Sequence, residues 1–190
     1  QPFGGGALED PNDSCRTCHG DYDPEIEPYH NWKGSMMAQA QRDPLFMATV
    51  AVANEAVPAV GDLCLRCHTP GGWIEGRSLD TTGDMLTGKD FEGIQCDFCH
   101  RLVDPVYIEG VSPPGDLAIL ENLEIPLLEP ANGQYVLDAD PLKRGPYADP
   151  IPSHQWLHSE FNLRSNLCAT CHDVSNPAFV AGAEPGVYEV

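Results

Sequence analysis

Cys15-Arg16-Thr17-Cys18-His19 is the first of four copies of one five-residue pattern, C-x-x-C-H. The other three are Cys64-Leu65-Arg66-Cys67-His68, Cys96-Asp97-Phe98-Cys99-His100 and Cys168-Ala169-Thr170-Cys171-His172. All 8 cysteines of the 190-residue chain lie in these motifs. In a c-type haem site the two thiols attach the haem and the adjacent histidine ligates its iron. The sequence therefore predicts four c-type haems, each bound by one motif.

Other cysteine chemistries fit the spacing less well. Paired C-x-x-C knuckles bind zinc, but zinc does not require a histidine directly after each second cysteine. A thioredoxin-like redox motif would occur once, near a βαβ pattern. A disulfide framework would use varied spacings. The regular pattern favours haem attachment.

The composition predicts an irregular chain that is organised by its cofactors. Glycine and proline number 18 each, which is well above their usual share. Such a chain forms a poor core by itself, whereas four large apolar haems would supply much of one. We expect a single domain over 1–190, mostly irregular with short α-helices and little β-structure, around a stack of haems.

Glycine and proline, which interrupt helices and strands, divide this domain into segments. Residues 1–13 are expected to form an N-terminal arm, and 71–89 a loop. Helix is expected over 31–55, with a break before Pro44, and over 153–172. Short helices should carry the second and third motifs. The segment 104–152 is rich in proline and is expected to wrap around the domain, with short strands near 106–108 and 134–137.

Charge and hydropathy restrict the partners and the location. The formal net charge is −19, which disfavours nucleic acid and anionic membrane surfaces. The most apolar stretch, 45–60, is too short and too polar to cross a bilayer, so no membrane insertion is expected. Haem attachment to C-x-x-C-H occurs outside the cytoplasm, and the start Gln1-Pro2-Phe3 has no leader features. We expect a processed, exported protein that is periplasmic or extracellular.

A second repeat suggests distal iron ligands. The pattern P-x-H-x-W-x-x-S occurs over 28–35 and again over 152–159. Its proline suits the start of a helix, with the histidine one turn inside. The repeat contains His30 and His154, and His158 follows His154 by one helical turn. These three histidines, the only ones outside the motifs, are predicted to ligate iron because imidazole suits haem.

The histidine count leaves one iron without a histidine distal ligand. The chain has 7 histidines, and four irons with two each would need eight. One haem must have another ligand, an open site or a ligand from a different protein. Met37 takes the place of the last histidine in a W-x-x-S-x-H pattern, and is a candidate iron ligand, although methionine more often fills cores.

The four motifs, the chain length and the few distal histidines resemble exported multihaem cytochromes c. The resemblance is to small tetrahaem cytochromes of the OmcE type, which polymerise into extracellular conducting filaments. It implies a continuous haem stack that is exposed at both ends, and electron transfer along a head-to-tail homopolymer to other redox proteins or extracellular acceptors. The stretches 32–46 and 168–177 are also similar to larger multihaem proteins, of which this chain could be an N-terminal piece.

Two other functions compete with that of an electron carrier without catalytic residues. A multihaem oxidoreductase acting on nitrite or hydroxylamine would use the under-ligated haem, although the sequence shows no proton donor or substrate channel for it. A tetrahaem subunit docked on a photosynthetic reaction centre would rely mainly on methionine ligands before each motif. Only Met36, Met37 and Met47 have that placement, all before one motif.

Overall fold

Short helices joined by turns make up most of the chain that the computed structural model describes, namely residues 7–127, 130–175, 180–181 and 188–189. The helices are α1 (Arg16–His19), α2 (Pro28–Lys33), α3 (Pro44–Ala56), α4 (Gly61–His68), α5 (Pro70–Ile74), α6 (Cys96–Arg101), α7 (Pro114–Glu121) and α8 (Ser165–His172). Single turns of other helical pitch cover Pro11–Cys15, Gly88–Glu92 and Glu160–Leu163. The prediction of short helices with little β-structure is confirmed for these residues.

Strands occur as three short pairs. β1 (Leu102–Val103) pairs antiparallel with β2 (Val136–Leu137), and β3 (Lys143–Gly145) pairs parallel with β4 (Trp156–His158). β5 (Val180–Ala181) pairs antiparallel with β6 (Tyr188–Glu189). The first two pairs fasten the proline-rich segment 104–152 to the third motif and to the chain before the fourth.

A small apolar core lies between the motifs. Tyr135 is at its centre, and its ring meets the edges of Trp73 and Phe98 at centroid distances of 5.6 and 4.8 Å. The buried members of the cluster are Leu8, Trp73, Ile74, Phe98, Leu102, Tyr135, Leu137 and Phe161. They come from segments far apart in the sequence, which this core brings into contact.

The predicted helix over 31–55 is two helices with a wide break. Proline begins both α2 and α3, and the Asp43 carboxylate caps α3 by accepting from the Leu45 amide at 2.8 Å. Between them the backbone turns to meet the chain before the third motif. Trp32 Nε1 donates to the Ile94 carbonyl at 2.8 Å, and the Ile94 amide donates to the Met37 carbonyl at 3.1 Å. Met37 therefore lies in the break between α2 and α3, inside the range that was predicted to be helical.

The helix predicted over 153–172 is also wrong for its first half. α8 begins only at Ser165, and the residues before it form β4 and a single helical turn. The backbone of β3 provides a partner for this segment, in the register Arg144 to Leu157. Pairing with β3 thus prevails over the local helical pattern. In an extended chain His154 and His158 lie about 13 Å apart along the backbone, instead of about 6 Å in a helix.

Two predicted loops contain helices, and one predicted strand is absent. Gly71 and Gly72 suggested a loop, but they are buried in α5, where a Cβ at 72 would lie 2.6 Å from Leu86 Cδ2. In the wrapping segment α7 was missed, and the described residues 106–108 form no strand. The prediction near 134–137 is confirmed for Val136–Leu137, which pairs with β1.

The described part of the predicted N-terminal arm packs onto the domain. Leu8 is buried in the core, and its carbonyl accepts from Lys89 Nζ at 2.7 Å. The Glu9 amide donates to Asp97 Oδ2 at 3.0 Å, next to Cys96. Residues 1–6 lie outside the described residues.

Candidate haem sites

Each C-x-x-C-H motif lies on a helical turn. The second, third and fourth motifs lie entirely within α4, α6 and α8, and the first follows the turn Pro11–Cys15 into α1. On a helix, residues three and four apart share a face, so both thiols and the histidine of each motif project to the same side. This is the arrangement that two-point attachment and iron ligation from one motif require.

Pairs of cysteines from different motifs are neighbours. The thiols of Cys15 and Cys96 lie within hydrogen-bond reach, and this contact lowers the pKa of the Cys15 thiol to about 7. The thiols of Cys67 and Cys171 make the equivalent contact, which lowers the pKa of Cys67.

Cys99 and Cys168 form the third neighbouring pair. They interact electrostatically, while burial raises the pKa of Cys99 to about 11. The three pairs place the motifs in the spatial order first, third, fourth and second.

Backbone carbonyls orient three of the predicted iron ligands. Nδ1 of His68 lies 3.3 Å from the Ala40 carbonyl oxygen, and Nδ1 of His100 lies 2.6 Å from that of Arg144. Nδ1 of His154 lies 3.0 Å from the Gln155 carbonyl oxygen. A carbonyl only accepts, so each Nδ1 is the donor and each Nε2 keeps its lone pair. This is the tautomer that iron ligation through Nε2 needs.

The rings of His19 and His154 are neighbours. Their ring centroids lie 6.4 Å apart, with an angle of 46° between the ring planes. Partial burial lowers the pKa of His19, and repulsion from His154 and His100 lowers it further. Among the close ring pairs in the described residues, this one alone joins two predicted iron ligands.

The structure places the remaining ligand candidates on separate elements. His30 is exposed on α2, His158 is partly buried on β4, and His172 is exposed at the end of α8. Met37 follows α2 in a turn, with 47% of its surface exposed. Ligation by these residues stays a prediction.

Sequence reasoning missed several residues that support the motif histidines. The ring of Phe46 stacks on that of His68, and the Arg144 carbonyl accepts from His100. Arg144 is buried with Asp116 and Asp138. No local pattern identifies these residues, because each depends on a contact between distant segments.

A cavity of about 200 Å³ adjoins the second motif. Arg66, between the two cysteines of that motif, stacks on Trp73 at 4.6 Å from the ring centroid. Gly133 closes the cavity with a φ of +66°, and a Cβ there would lie 2.9 Å from Cys67 Sγ. The close backbone approach to the thiol explains why glycine is needed here.

The apolar surface near the motifs also suits haem. Leu63, on α4 directly before Cys64, is 51% exposed. Leu45 and Val52 of α3 are about 70% exposed. α3 buries only Val50 among its residues. Helices that leave so much apolar surface uncovered by protein fit a chain that packs against large apolar cofactors.

Residues 14–101 match the family of cytochrome c554 and c-prime. The match supports a c-type cytochrome. It covers the first three motifs but less than half of the chain, and it leaves the fourth motif, His154 and His158 outside. No curated protein and no solved structure gives a significant match.

Cytochromes of the c type bind haem covalently, transfer electrons and are typically exported. In the described part of the chain, no helix is long and apolar enough to cross a membrane. The longest of these helices, α3, has 13 residues, whereas a span needs about 20.

Proposed function

We propose that this cytochrome carries electrons through four covalently attached haems, one at each motif. The observation that carries the proposal is the spatial sequence in which the four motifs neighbour one another. Cys15 neighbours Cys96, Cys99 neighbours Cys168, and Cys171 neighbours Cys67. Each cysteine bonds to the edge of its haem, so neighbouring thiols bring the edges of two haems together. The resulting order is first, third, fourth, second.

The pair His19 and His154 supports a carrier over an enzyme at the first motif. An imidazole nitrogen binds a metal at about 2.0 Å with the ring centroid ~1.1 Å behind it, so two imidazoles that held one ion from opposite sides would have centroids roughly 6.2 Å apart. The observed separation is 6.4 Å. Nε2 of His154 is available, because its Nδ1 donates to the Gln155 carbonyl. If both histidines held the haem iron of the first motif, that iron would have no position for a substrate.

Removing haems at chosen places on the path tests the proposal. The variant Cys96→Ala/Cys99→Ala should lose the haem next to the first motif and so isolate that motif from the other two. The matched variant Cys15→Ala/Cys18→Ala should lose only a terminal haem. Denatured masses should show four haems in the parent chain and three in each variant. After partial reduction by a fast pulse, electrons should redistribute rapidly among the three remaining haems of Cys15→Ala/Cys18→Ala. In Cys96→Ala/Cys99→Ala this redistribution should be slow.

Several results would contradict this function. Fewer than four haem masses in the parent chain would refute the haem count. Equal equilibration rates in the two variants would refute the path. Rapid turnover of nitrite or hydroxylamine would favour an oxidoreductase, an alternative supported by the shortage of one histidine.

We further propose that the cytochrome works outside the cytoplasm as a filament subunit. The proposed haem path has two ends, one at the first motif and one at the second. These ends and the resemblance to filament-forming tetrahaem cytochromes support the proposal. A head-to-tail contact between such ends is heterologous, which is the geometry that yields open polymers. Negative-stain electron microscopy of the purified protein would distinguish filaments from single molecules. Other redox proteins or extracellular acceptors would take the electrons.

A further inference from the structure

A buried ionic cluster lies beside the third motif. Arg144 on β3 is 1% exposed, and its Nη2 contacts Asp116 Oδ1 at 2.5 Å and Asp138 Oδ2 at 2.8 Å. Asp116, on α7, is fully buried. Arg144 Nε and Nη1 and Asp116 Oδ2 have no hydrogen-bond partner among the described residues. Each such buried, unpaired group is unfavourable for stability.

Stability alone does not explain this cluster. A buried ion pair loses hydration that its attraction often fails to offset, and apolar side chains of similar size often do as well or better. Here one guanidinium is shared by two carboxylates and keeps donors unused. Its structural effect is to hold the β3 residue Arg144 to Asp116 and Asp138.

The cluster fixes the backbone carbonyl that accepts the hydrogen bond from His100 Nδ1. The Arg144 carbonyl oxygen lies 2.6 Å from His100 Nδ1, on the same residue whose side chain is clamped. Asp138 is held from the other side, since its carbonyl accepts from Arg101 Nε at 3.0 Å. Arg101 directly follows His100 in α6. One arginine therefore supplies the carbonyl that His100 contacts, and the other ties the residue after His100 to Asp138.

The same strand also reaches a predicted distal ligand. Gly145, next to Arg144, pairs with His158 in the parallel ladder of β3 and β4. The wrapping segment thus connects the histidine of the third motif with the strand that contains His158.

We propose that Arg144 is a positioning residue for His100. Its carbonyl holds the Nδ1 proton, and its side chain, clamped by Asp116 and Asp138, keeps that carbonyl in place. Donation from Nδ1 makes the imidazole a more basic ligand, which stabilises oxidised iron. This inference rests on the proposed haem at the third motif. It predicts that the cluster lowers the reduction potential of that haem.

The test is a variant that loosens the clamp without changing the net charge. Arg144→Met/Asp116→Asn removes one positive and one negative charge. In a potentiometric titration followed by absorbance, the midpoint of one haem should rise while the other three stay in place. The low-spin electron paramagnetic resonance signal of one haem should shift as well. Both changes should disappear in the background Cys96→Ala/Cys99→Ala, which lacks the haem concerned.

A matched control separates positioning from mere stability. Arg77 forms ion pairs with Asp90 at 2.6 Å and Glu75 at 2.9 Å, and Arg77→Met/Asp90→Asn makes the same charge-neutral change. It should lower the thermal midpoint without moving the potential of the third-motif haem. If the principal variant does not accumulate, Arg144→Lys keeps the charge and should give a smaller rise. Unchanged potentials and signals in a variant with four haems would overturn the proposal, whereas a missing third-motif haem in the parent chain would refute the proposed function instead.

Discussion

The ring of Phe46 lies flat on the imidazole of His68, with 3.6 Å between centroids and 2° between planes. Phe46 is in the first turn of α3, and the start of that helix is set by Asp43 and Pro44. The Ala40 carbonyl, just before the helix, faces Nδ1 of the same histidine. The chain around the start of α3 therefore fixes both the plane and the tautomer of the second-motif histidine.

Replacing Phe46 with leucine should release the His68 ring while keeping apolar volume. Loss of the ring pair should lower the free energy of unfolding by about 1 kcal/mol, measured by thermal or denaturant unfolding. The paramagnetic resonance signal of one haem should broaden, because its axial imidazole can then rotate. Phe91→Leu is the control, since Phe91 is exposed. Equal signals in the two variants would show that Phe46 does not orient the ligand.

Replacing His154 with alanine should convert one low-spin haem to high spin. The reason is its position beside His19, and the measurement is resonance Raman or magnetic circular dichroism of the oxidised protein. In the background Cys15→Ala/Cys18→Ala the same replacement should cause no further change. Gln155→Ala is the neighbouring control. An additional high-spin haem in that background would assign His154 to another motif.

Gly61→Ala should destabilise the fold, because a Cβ at 61 would collide with the Thr81 carbonyl oxygen. The Gly61 amide also donates to Asn54 Oδ1 at 2.9 Å, and Asn54 Nδ2 donates to that same Thr81 oxygen at 2.7 Å. Forcing these groups apart should be unfavourable by about 1–3 kcal/mol, seen as a lower thermal midpoint. Gly115→Ala, on α7 with open space around it, should be neutral or slightly stabilising. A Gly61→Ala midpoint equal to that of the parent would mean that the backbone adjusts freely.

The sequence predicted the helices that contain the motifs better than the elements between them. C-x-x-C-H is a local pattern, and its short helices over the second and third motifs are found as α4 and α6. The helix prediction for the region before the fourth motif was wrong, because β4 depends on a strand partner from 143–145 that no local periodicity reveals. The roles of Phe46 and Arg144 were missed for the same reason. Both act on a histidine through tertiary contacts.

One haem should differ spectroscopically from the other three, because 7 histidines cannot supply eight ligands. Magnetic circular dichroism should show three bis-histidine signals and one methionine-type or high-spin signal. If Met37 is the fourth distal ligand, Met37→Leu should remove the methionine-type signal. The neighbouring Met36→Leu is the control, since Met36 is 84% exposed. Four identical bis-histidine signals would require a histidine from a different protein.

Two N-terminal deletions should separate assembly from folding. Removing residues 8–13 along with the start of the chain takes away buried Leu8, its contact with Lys89 and the Glu9 contact with Asp97. Burying a leucine contributes about 1.5–3 kcal/mol, so this longer deletion should lower the thermal midpoint clearly. Removing only residues 1–6 spares these contacts. If the proposed filament uses the N-terminus to reach a neighbour, the shorter deletion should weaken polymerisation in negative-stain images while denatured mass still shows four haems. Filaments that form normally after the shorter deletion would exclude residues 1–6 from the subunit contact.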